Sequence, residues 1–171
     1  MAITASTTNP LKGAKRWAYL ARATTIRVAT VNDDGSLYLT PLWFVVRDQR
    51  IFLPLDAGGR HGKNGTSGRP VSALVDSGDE FVTVAGVRIL GRLEAVNDEN
   101  AHGELEALMF DKYFYEGHPY AHRYFEFGEF AGRVYYELVV DKLIGWDSRE
   151  TTVSDTPERR SLPAHIGDRL V

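Results

Sequence analysis

The residues best suited to bind a ligand lie in a glycine-rich basic loop that follows an apolar segment. Residues 51–55 predict a strand, and the loop 57–65 after it reads AGGRHGKNG. Glycines let a backbone approach a ligand closely, and Arg60 and Lys63 offer charged donors to a phosphate or carboxylate. A helix that starts near Arg60 would add unpaired backbone N–H groups. The loop predicts an anion site, although a solvated surface loop can have the same composition.

Other reactive residue types do not form a second site. His118 and His122 are four residues apart, a spacing that places two metal ligands on one helical face, but no third ligand accompanies them. We therefore predict no metal. The chain contains no cysteine, which excludes disulfides and thiolate ligands. Because no nucleophile can be placed beside a base, we predict no catalytic side chain, and an enzyme of this kind would take its chemistry from a bound cofactor.

The hydrophobic pattern predicts the elements that position the loop. Helical spacing begins near Leu11 and again after a cap at Asn97 or Asp98, and the aromatic-rich segment 114–130 predicts a loop or short helix. Period-two patterns and turn residues predict six strands, at residues 24–31, 36–46, 50–55, 70–76, 80–96 and 133–147. This order predicts an α+β fold with a mostly antiparallel six-stranded barrel and two or three flanking helices.

Length and composition predict one domain over residues 1–147, followed by an extended C-terminal tail over residues 148–171, which is polar and poorly periodic. The net charge of −3 gives no reason to expect nucleic acid as a partner. No segment has the ~20 apolar residues that span a bilayer, and the first ten residues are polar. We therefore expect a cytoplasmic protein with no membrane partner.

Several short motifs occur in the order in which one protein family has them. They are residues 27–31, 34–35, 39–44, Arg60 with Asn64, 69–71, 86–92 and 146–147. In this order they resemble the pyridoxamine 5'-phosphate oxidase-like split barrels, which bind flavin mononucleotide (FMN) or the deazaflavin coenzyme F-420. The resemblance covers about residues 24–147. It implies a split β-barrel and a homodimer with cofactor sites at the interface.

The resemblance also implies a set of cofactor-binding residues. The strand over residues 39–44 would present backbone groups to the flavin ring, and Arg60 matches the family's phosphate-binding arginine. His61 stands where many members have lysine, and Lys63 would restore that charge. Trp43 and Trp146 would stack near the ring, or else belong to the core or an interface. The full set is Thr40, Pro41, Leu42, Trp43, Arg60, His61, Lys63, Asn64, Gly86, Val87 and Trp146.

The function implied by the resemblance is hydride transfer between the cofactor and a small organic molecule. His61 and the arginine-rich composition favour F-420 over FMN as the cofactor. Gly86 stands where the vitamin-synthesis oxidases carry glutamine, and their C-terminal substrate motif is not recognisable, which argues against pyridoxamine phosphate as the substrate. The alternatives are a non-catalytic cofactor- or haem-binding protein of the same fold, and a structural dimer with an empty pocket.

Overall fold

One curled antiparallel sheet dominates the structure, a computed structural model that describes residues 9–80, 83–115 and 117–150. The strands are β1 (Asn9–Pro10), β2 (Ile26–Val31), β3 (Leu37–Leu42), β4 (Val45–Arg47), β5 (Arg50–Asp56), β6 (Val71–Ser77), β7 (Ala85–Ala95) and β8 (Arg133–Asp147). Their order in the sheet is β3-β2-β6-β7-β8-β5-β4, and β1 pairs with β8. The fifteen-residue β8 pairs with β7 along most of its length and with β5 at its start, which curls the sheet into half a barrel.

The predicted α+β split-barrel class is confirmed, with eight strands in the described residues where six were predicted. One addition is the short β1. The other arises because the strand predicted over residues 36–46 is divided at Trp43 and Phe44 into β3 and β4. At this break the backbone N–H of Phe44 donates to the hydroxyl of Tyr113, and Lys112 Nζ donates to the carbonyl of Phe44. Side chains of a helix thus replace the strand ladder at this point.

Four helices accompany the sheet in the described residues. They are α1 (Gly13–Arg22), α2 (Arg60–Gly65), α3 (Glu99–Tyr113) and α4 (Ala121–Ala131). The Asp98 carboxylate caps α3 by accepting a hydrogen bond from the N–H of Asn100, at 3.0 Å. The aromatic-rich segment, for which a loop or short helix was predicted, contains the eleven-residue α4. No helix in the described ranges is long and apolar enough to span a membrane.

The sheet carries core residues on both faces at β5, because alternate side chains of a strand point in opposite directions. Ile51 and Leu53 pack with Leu20 of α1 in the main core. Phe52, between them, packs against Met109 of α3 in a second cluster. Beyond β8, residues Ser148–Glu150 form one turn of 3₁₀ helix. The rest of the C-terminal tail predicted over residues 148–171 lies outside the described residues.

Candidate functional site

The basic loop after β5 forms the short helix α2, which begins at Arg60 with Gly59 as its N-cap. The helix packs closely against the end of β5, because a Cβ placed on Gly62 would lie 2.5 Å from the carbonyl oxygen of Asp56. Real Cβ atoms do not approach a carbonyl so closely, so this position requires glycine. The packing holds the exposed Arg60 at the mouth of a cavity.

The cavity has a volume of about 690 Å³ and lies between the edge of the sheet, α2 and α4. This volume is within the range of small-molecule and cofactor sites. Six of the residues predicted to bind a cofactor line it, namely Thr40, Pro41, Leu42, Trp43, Arg60 and His61. The structure therefore brings the β3 motif and the start of the basic loop to one place, although they are distant in sequence.

His61 faces inward from α2 and is only 6% exposed. Its Nδ1 lies 3.0 Å from the hydroxyl of Thr30 and its Nε2 lies 2.8 Å from the hydroxyl of Thr40. The ring of Tyr38 packs beside it at 4.7 Å between centroids. Burial lowers the pKa of His61 below its usual range, because the charged form loses hydration. His61 is thus a neutral, hydrogen-bonded wall of the cavity and does not supply a positive charge there.

Trp43 forms another part of the wall, and the end of α3 fixes its position. Its ring stacks on that of Tyr113 at 4.6 Å and remains 39% exposed toward the cavity. The Tyr113 hydroxyl accepts from the N–H of Phe44 and lies 2.8 Å from the carbonyl of Thr24. Burial raises the pKa of Tyr113 to about 12, which keeps this hydroxyl protonated as a donor. A cavity-facing aromatic ring is held in one orientation as a result.

The opposite wall comes from α4 and the start of β8, and sequence reasoning did not find it. Tyr124, Phe127 and Arg133 line the cavity there. The Arg133 guanidinium lies 3.8 Å from the centroid of the Tyr124 ring, donates to the Tyr124 carbonyl at 2.9 Å, and lies 3.5 Å from Glu106 Oε1. The Tyr124 hydroxyl is buried and has no hydrogen-bond partner within the part of the chain that the structure describes. The aromatic-rich composition of residues 114–130 was the signal that could have located this wall.

The cavity combines charged and apolar surfaces. Among the described residues that line it, Arg60 and Arg133 are the cations and Asp56 is the carboxylate. Thr25, Thr40 and Tyr38 add hydroxyl groups, and much of the remaining lining is aromatic or aliphatic. Such an arrangement fits a ligand that carries both a planar apolar part and an anionic group, because arginine pairs well with phosphate and carboxylate and aromatic faces pack on rings.

The other residues of the predicted set lie away from the cavity lining. Lys63 is exposed on α2, and Asn64 is buried, where its side-chain amide donates to Thr30 and Asn32 at 2.9 Å each. Gly86 and Val87 are buried in β7. A Cβ on Gly86 would lie 2.5 Å from the ring of Trp146 in β8, so the glycine makes room for that ring. Asn64, Gly86 and Trp146 make contacts within the chain, Lys63 is open to solvent, and none of this set lines the cavity.

The two histidines at metal-ligand spacing have other contacts. His118 Nδ1 accepts a hydrogen bond from the N–H of Tyr120, and His122 Nε2 lies 3.0 Å from Glu126. Residues 9–80, 83–115 and 117–150 contain no cluster of three or more histidine or carboxylate side chains that could hold a metal ion.

Comparison with known proteins agrees with the geometry. The family model described as pyridoxamine 5'-phosphate oxidase matches residues 15–145. No curated protein matches the chain. A conserved hypothetical protein of Mycobacterium tuberculosis superposes with a TM-score of 0.73 at 23% identity, over 94% of this chain and 99% of that one.

Two further solved structures share the fold. An FAD binding protein of Mycobacterium smegmatis gives a TM-score of 0.56 at 16% identity, over 80% of this chain and 95% of that one. HutZ, the heme storage protein of Vibrio cholerae, gives 0.63 at 14% identity, over 83% and 100%. Structural similarity at such low sequence identity shows a common backbone fold and no more. Proteins that bind different ligands share this fold.

Proposed function

Since the chain belongs to the pyridoxamine 5'-phosphate oxidase family, we propose that its cavity binds a flavin or deazaflavin and that the protein is an oxidoreductase dependent on that cofactor. The observation that carries this proposal is the position of Arg60 beside an aromatic cavity of about 690 Å³. The family includes flavin-dependent oxidases, and the fold has a flavin-binding example in the mycobacterial FAD binding protein.

The residues present fit such a cofactor. Arg60 is exposed at the mouth of the cavity, where it is free to bind a phosphate. Trp43 and Pro41 offer flat apolar surfaces for a fused ring, and the Thr40 hydroxyl offers a hydrogen bond to its polar edge. The buried and neutral His61 adds no charge beside the ring.

A bound flavin or deazaflavin supplies two-electron redox chemistry, in which a hydride is exchanged with a small organic substrate. The protein binds the cofactor, orients the substrate against it and excludes water from the site. Arg60 anchors the anionic end, while the ring of Trp43, fixed by Tyr113, limits where a planar group can lie. Phe127 of α4, which is 59% exposed, adds an apolar side chain to the cavity lining.

The choice between FMN and F-420 follows from the anionic part of the cofactor. The inward position of His61 leaves Arg60 as the cation of α2 at the cavity, with Arg133 opposite. The phosphate of F-420 is a diester and carries less negative charge than the phosphate monoester of FMN, so a site with few cations at the phosphate suits F-420 better. We therefore propose F-420 ahead of FMN, in agreement with the preference drawn from the sequence.

A haem-handling role is the second candidate, because HutZ has the same fold. The histidine that lines the cavity is His61, and threonine hydroxyls engage both of its ring nitrogens. Neither nitrogen is free to coordinate iron unless that network breaks. The geometry therefore favours a flavin or deazaflavin over haem.

We also propose that the protein is a homodimer whose interface includes β3. This strand lies at the end of the sheet, and Leu37 and Leu39 on one face of it are 70% and 63% exposed. Exposed apolar edge strands are normally covered by a partner. Pro41 continues the same face and lines the cavity, so a second copy seated on β3 would also shape the cofactor site.

Calorimetric titration of the apo-protein with FMN, F-420 and haem tests the cofactor proposal. Saturable binding of F-420 or FMN, with haem weaker, is the expected result, and haem alone binding would contradict it. Light scattering after size exclusion tests the dimer. A dimer mass is expected for the wild type and a monomer mass for a Leu37→Asp, Leu39→Asp variant, whereas a monomeric wild type would refute the interface.

A further inference from the structure

A continuous chain of side-chain hydrogen bonds runs from the turn between β2 and β3 to the cavity. It passes through seven side chains, namely Asp34, Ser36, Asn32, Asn64, Thr30, His61 and Thr40. Asp34 lies on the surface, and Thr40 lines the cavity. Because one end is a carboxylate, which only accepts hydrogen bonds when ionised, the direction of every bond in the chain can be assigned.

The assignment starts at Asp34, whose pKa is lowered by hydrogen bonds from Ser36, so the carboxylate is ionised. The Ser36 hydroxyl donates to Asp34 Oδ1 at 2.6 Å. Having used its proton, that hydroxyl accepts from the side-chain amide of Asn32 at 2.9 Å. Asn32 Oδ1 then faces Asn64 and accepts from its Nδ2 at 2.9 Å. This contact fixes the orientation of the Asn64 amide group.

The same Nδ2 of Asn64 donates to the hydroxyl of Thr30, which is 1% exposed. Among the described contacts of this hydroxyl, His61 Nδ1 at 3.0 Å is the group able to accept its proton. A buried hydroxyl without an acceptor is costly, so Thr30 donates to Nδ1. Neutral His61 then carries its proton on Nε2 and donates it to Thr40 Oγ1 at 2.8 Å.

The Thr40 hydroxyl therefore receives its bond from His61 and keeps its own proton for another acceptor. Thr40 lines the cavity, so this proton is available to an acceptor there. We propose that His61 is a positioning residue, locked as the Nε2–H tautomer, which directs the Thr40 hydroxyl as a hydrogen-bond donor toward a carbonyl oxygen or ring nitrogen of the bound cofactor. The identity of that cofactor rests on the function proposed above, whereas the tautomer does not.

The tautomer is measured directly by long-range ¹H–¹⁵N spectra of the histidine side chains at neutral pH, with the His61 signals assigned from their absence in His61→Gln. The expected result is an unprotonated Nδ1 and a protonated Nε2. A protonated Nδ1, or averaging of the two tautomers, would overturn the proposal. The spectra are those of the wild-type chain without ligand, and if the variant proves unstable, correlation of the His61 ring signals with its backbone signals in that chain supplies the assignment.

The role of Thr40 is measured by the affinity for F-420 and for FMN, and the cofactor that the wild type binds more tightly decides the outcome. Removing one neutral hydrogen bond in Thr40→Val should weaken binding by about two- to tenfold, and Thr40→Ser, which retains the hydroxyl, should restore it. If His61 acts through Thr40, then His61→Gln as a single substitution weakens cofactor binding. Added to Thr40→Val, it has no further effect. Additive losses in this cycle would refute the positioning role.

The two proposals fail in different ways. A wild type that binds neither FMN nor F-420 refutes the proposed function, and the tautomer spectra still decide the direction of the hydrogen-bond chain. A wild type that binds F-420 or FMN while Thr40→Val binds the same cofactor equally well refutes the donor role of Thr40 and leaves the cofactor assignment intact.

Discussion

Replacing Arg60 by alanine should weaken the binding of a phosphorylated flavin much more than that of a flavin without phosphate. Arg60 begins α2, is exposed, and lines the cavity. Its guanidinium can bond a phosphate with two parallel N–H groups, which makes such a contact stronger than a neutral hydrogen bond. Riboflavin has the same ring as FMN and lacks the phosphate. The difference between the two ligands thus isolates the contact that Arg60 is proposed to make.

The expected magnitude follows from the kind of contact and its exposure. A hydrogen bond to a charged group contributes about 1.5–3 kcal/mol, which corresponds to roughly ten- to a hundredfold in dissociation constant. Because Arg60 is open to solvent, the loss should lie toward the lower end and shrink as salt is raised. Lys63 is exposed on the same helix and does not line the cavity, so Lys63→Ala should change the constant by no more than about twofold.

Calorimetry with FMN and riboflavin on the wild type, Arg60→Ala and Lys63→Ala measures these effects. The prediction is a selective loss, in which Arg60→Ala loses FMN affinity while its riboflavin affinity changes by no more than about twofold. Melting temperatures of the three proteins serve as the control for folding. Equal losses for both ligands, or no loss for FMN, would show that Arg60 does not bind the phosphate.

Three further predictions concern the groups that hold the cavity wall and the sheet. Burial lowers the pKa of Lys112 from 10.5 to about 8. At pH values between these two, Lys112 is protonated in the unfolded chain and deprotonated in the folded chain. The stability of the wild type relative to Lys112→Met should therefore rise as pH increases through this interval, which thermal melts of both proteins would show, and a constant difference would contradict it. Tyr113→Phe leaves the Phe44 N–H without its acceptor and should lower the free energy of unfolding in urea by about 1–3 kcal/mol, whereas an unchanged value would mean that this bond does not brace the break between β3 and β4. Gly86→Ala places a methyl group against the ring of Trp146 and should cost about 1–3 kcal/mol with a change in tryptophan fluorescence, and a silent substitution would refute the close packing.

Much of the fold could be predicted because the local signals agree with it. Residues 32–35 form the turn between β2 and β3, and Asp98 caps α3 as expected. Gly91 of β7 lies where the register with β8 shifts, between Leu90 and Gly91, as at a β-bulge. The division between β3 and β4 could not be predicted, because it depends on Lys112 and Tyr113, which lie almost seventy residues further along the chain.

The site could be predicted in part for the same reason. The basic loop and the β3 motif could be recognised from their residue types, and the structure places both of them at one cavity. The inward direction of the His61 side chain depends on Thr30 of β2 and Thr40 of β3, which are distant from it in sequence. The contribution of Arg133 depends on Tyr124 and Glu106, so no local pattern marks it. Tertiary contacts of this kind decide which charged residues face a ligand.

A crystal structure of the protein with F-420 or FMN is the decisive measurement. We expect the cofactor to occupy the cavity, with its phosphate at Arg60 and its ring against Trp43 and the Thr40 hydroxyl. A cofactor bound at the Gly86 and Trp146 face, away from Arg60, would refute the proposed site.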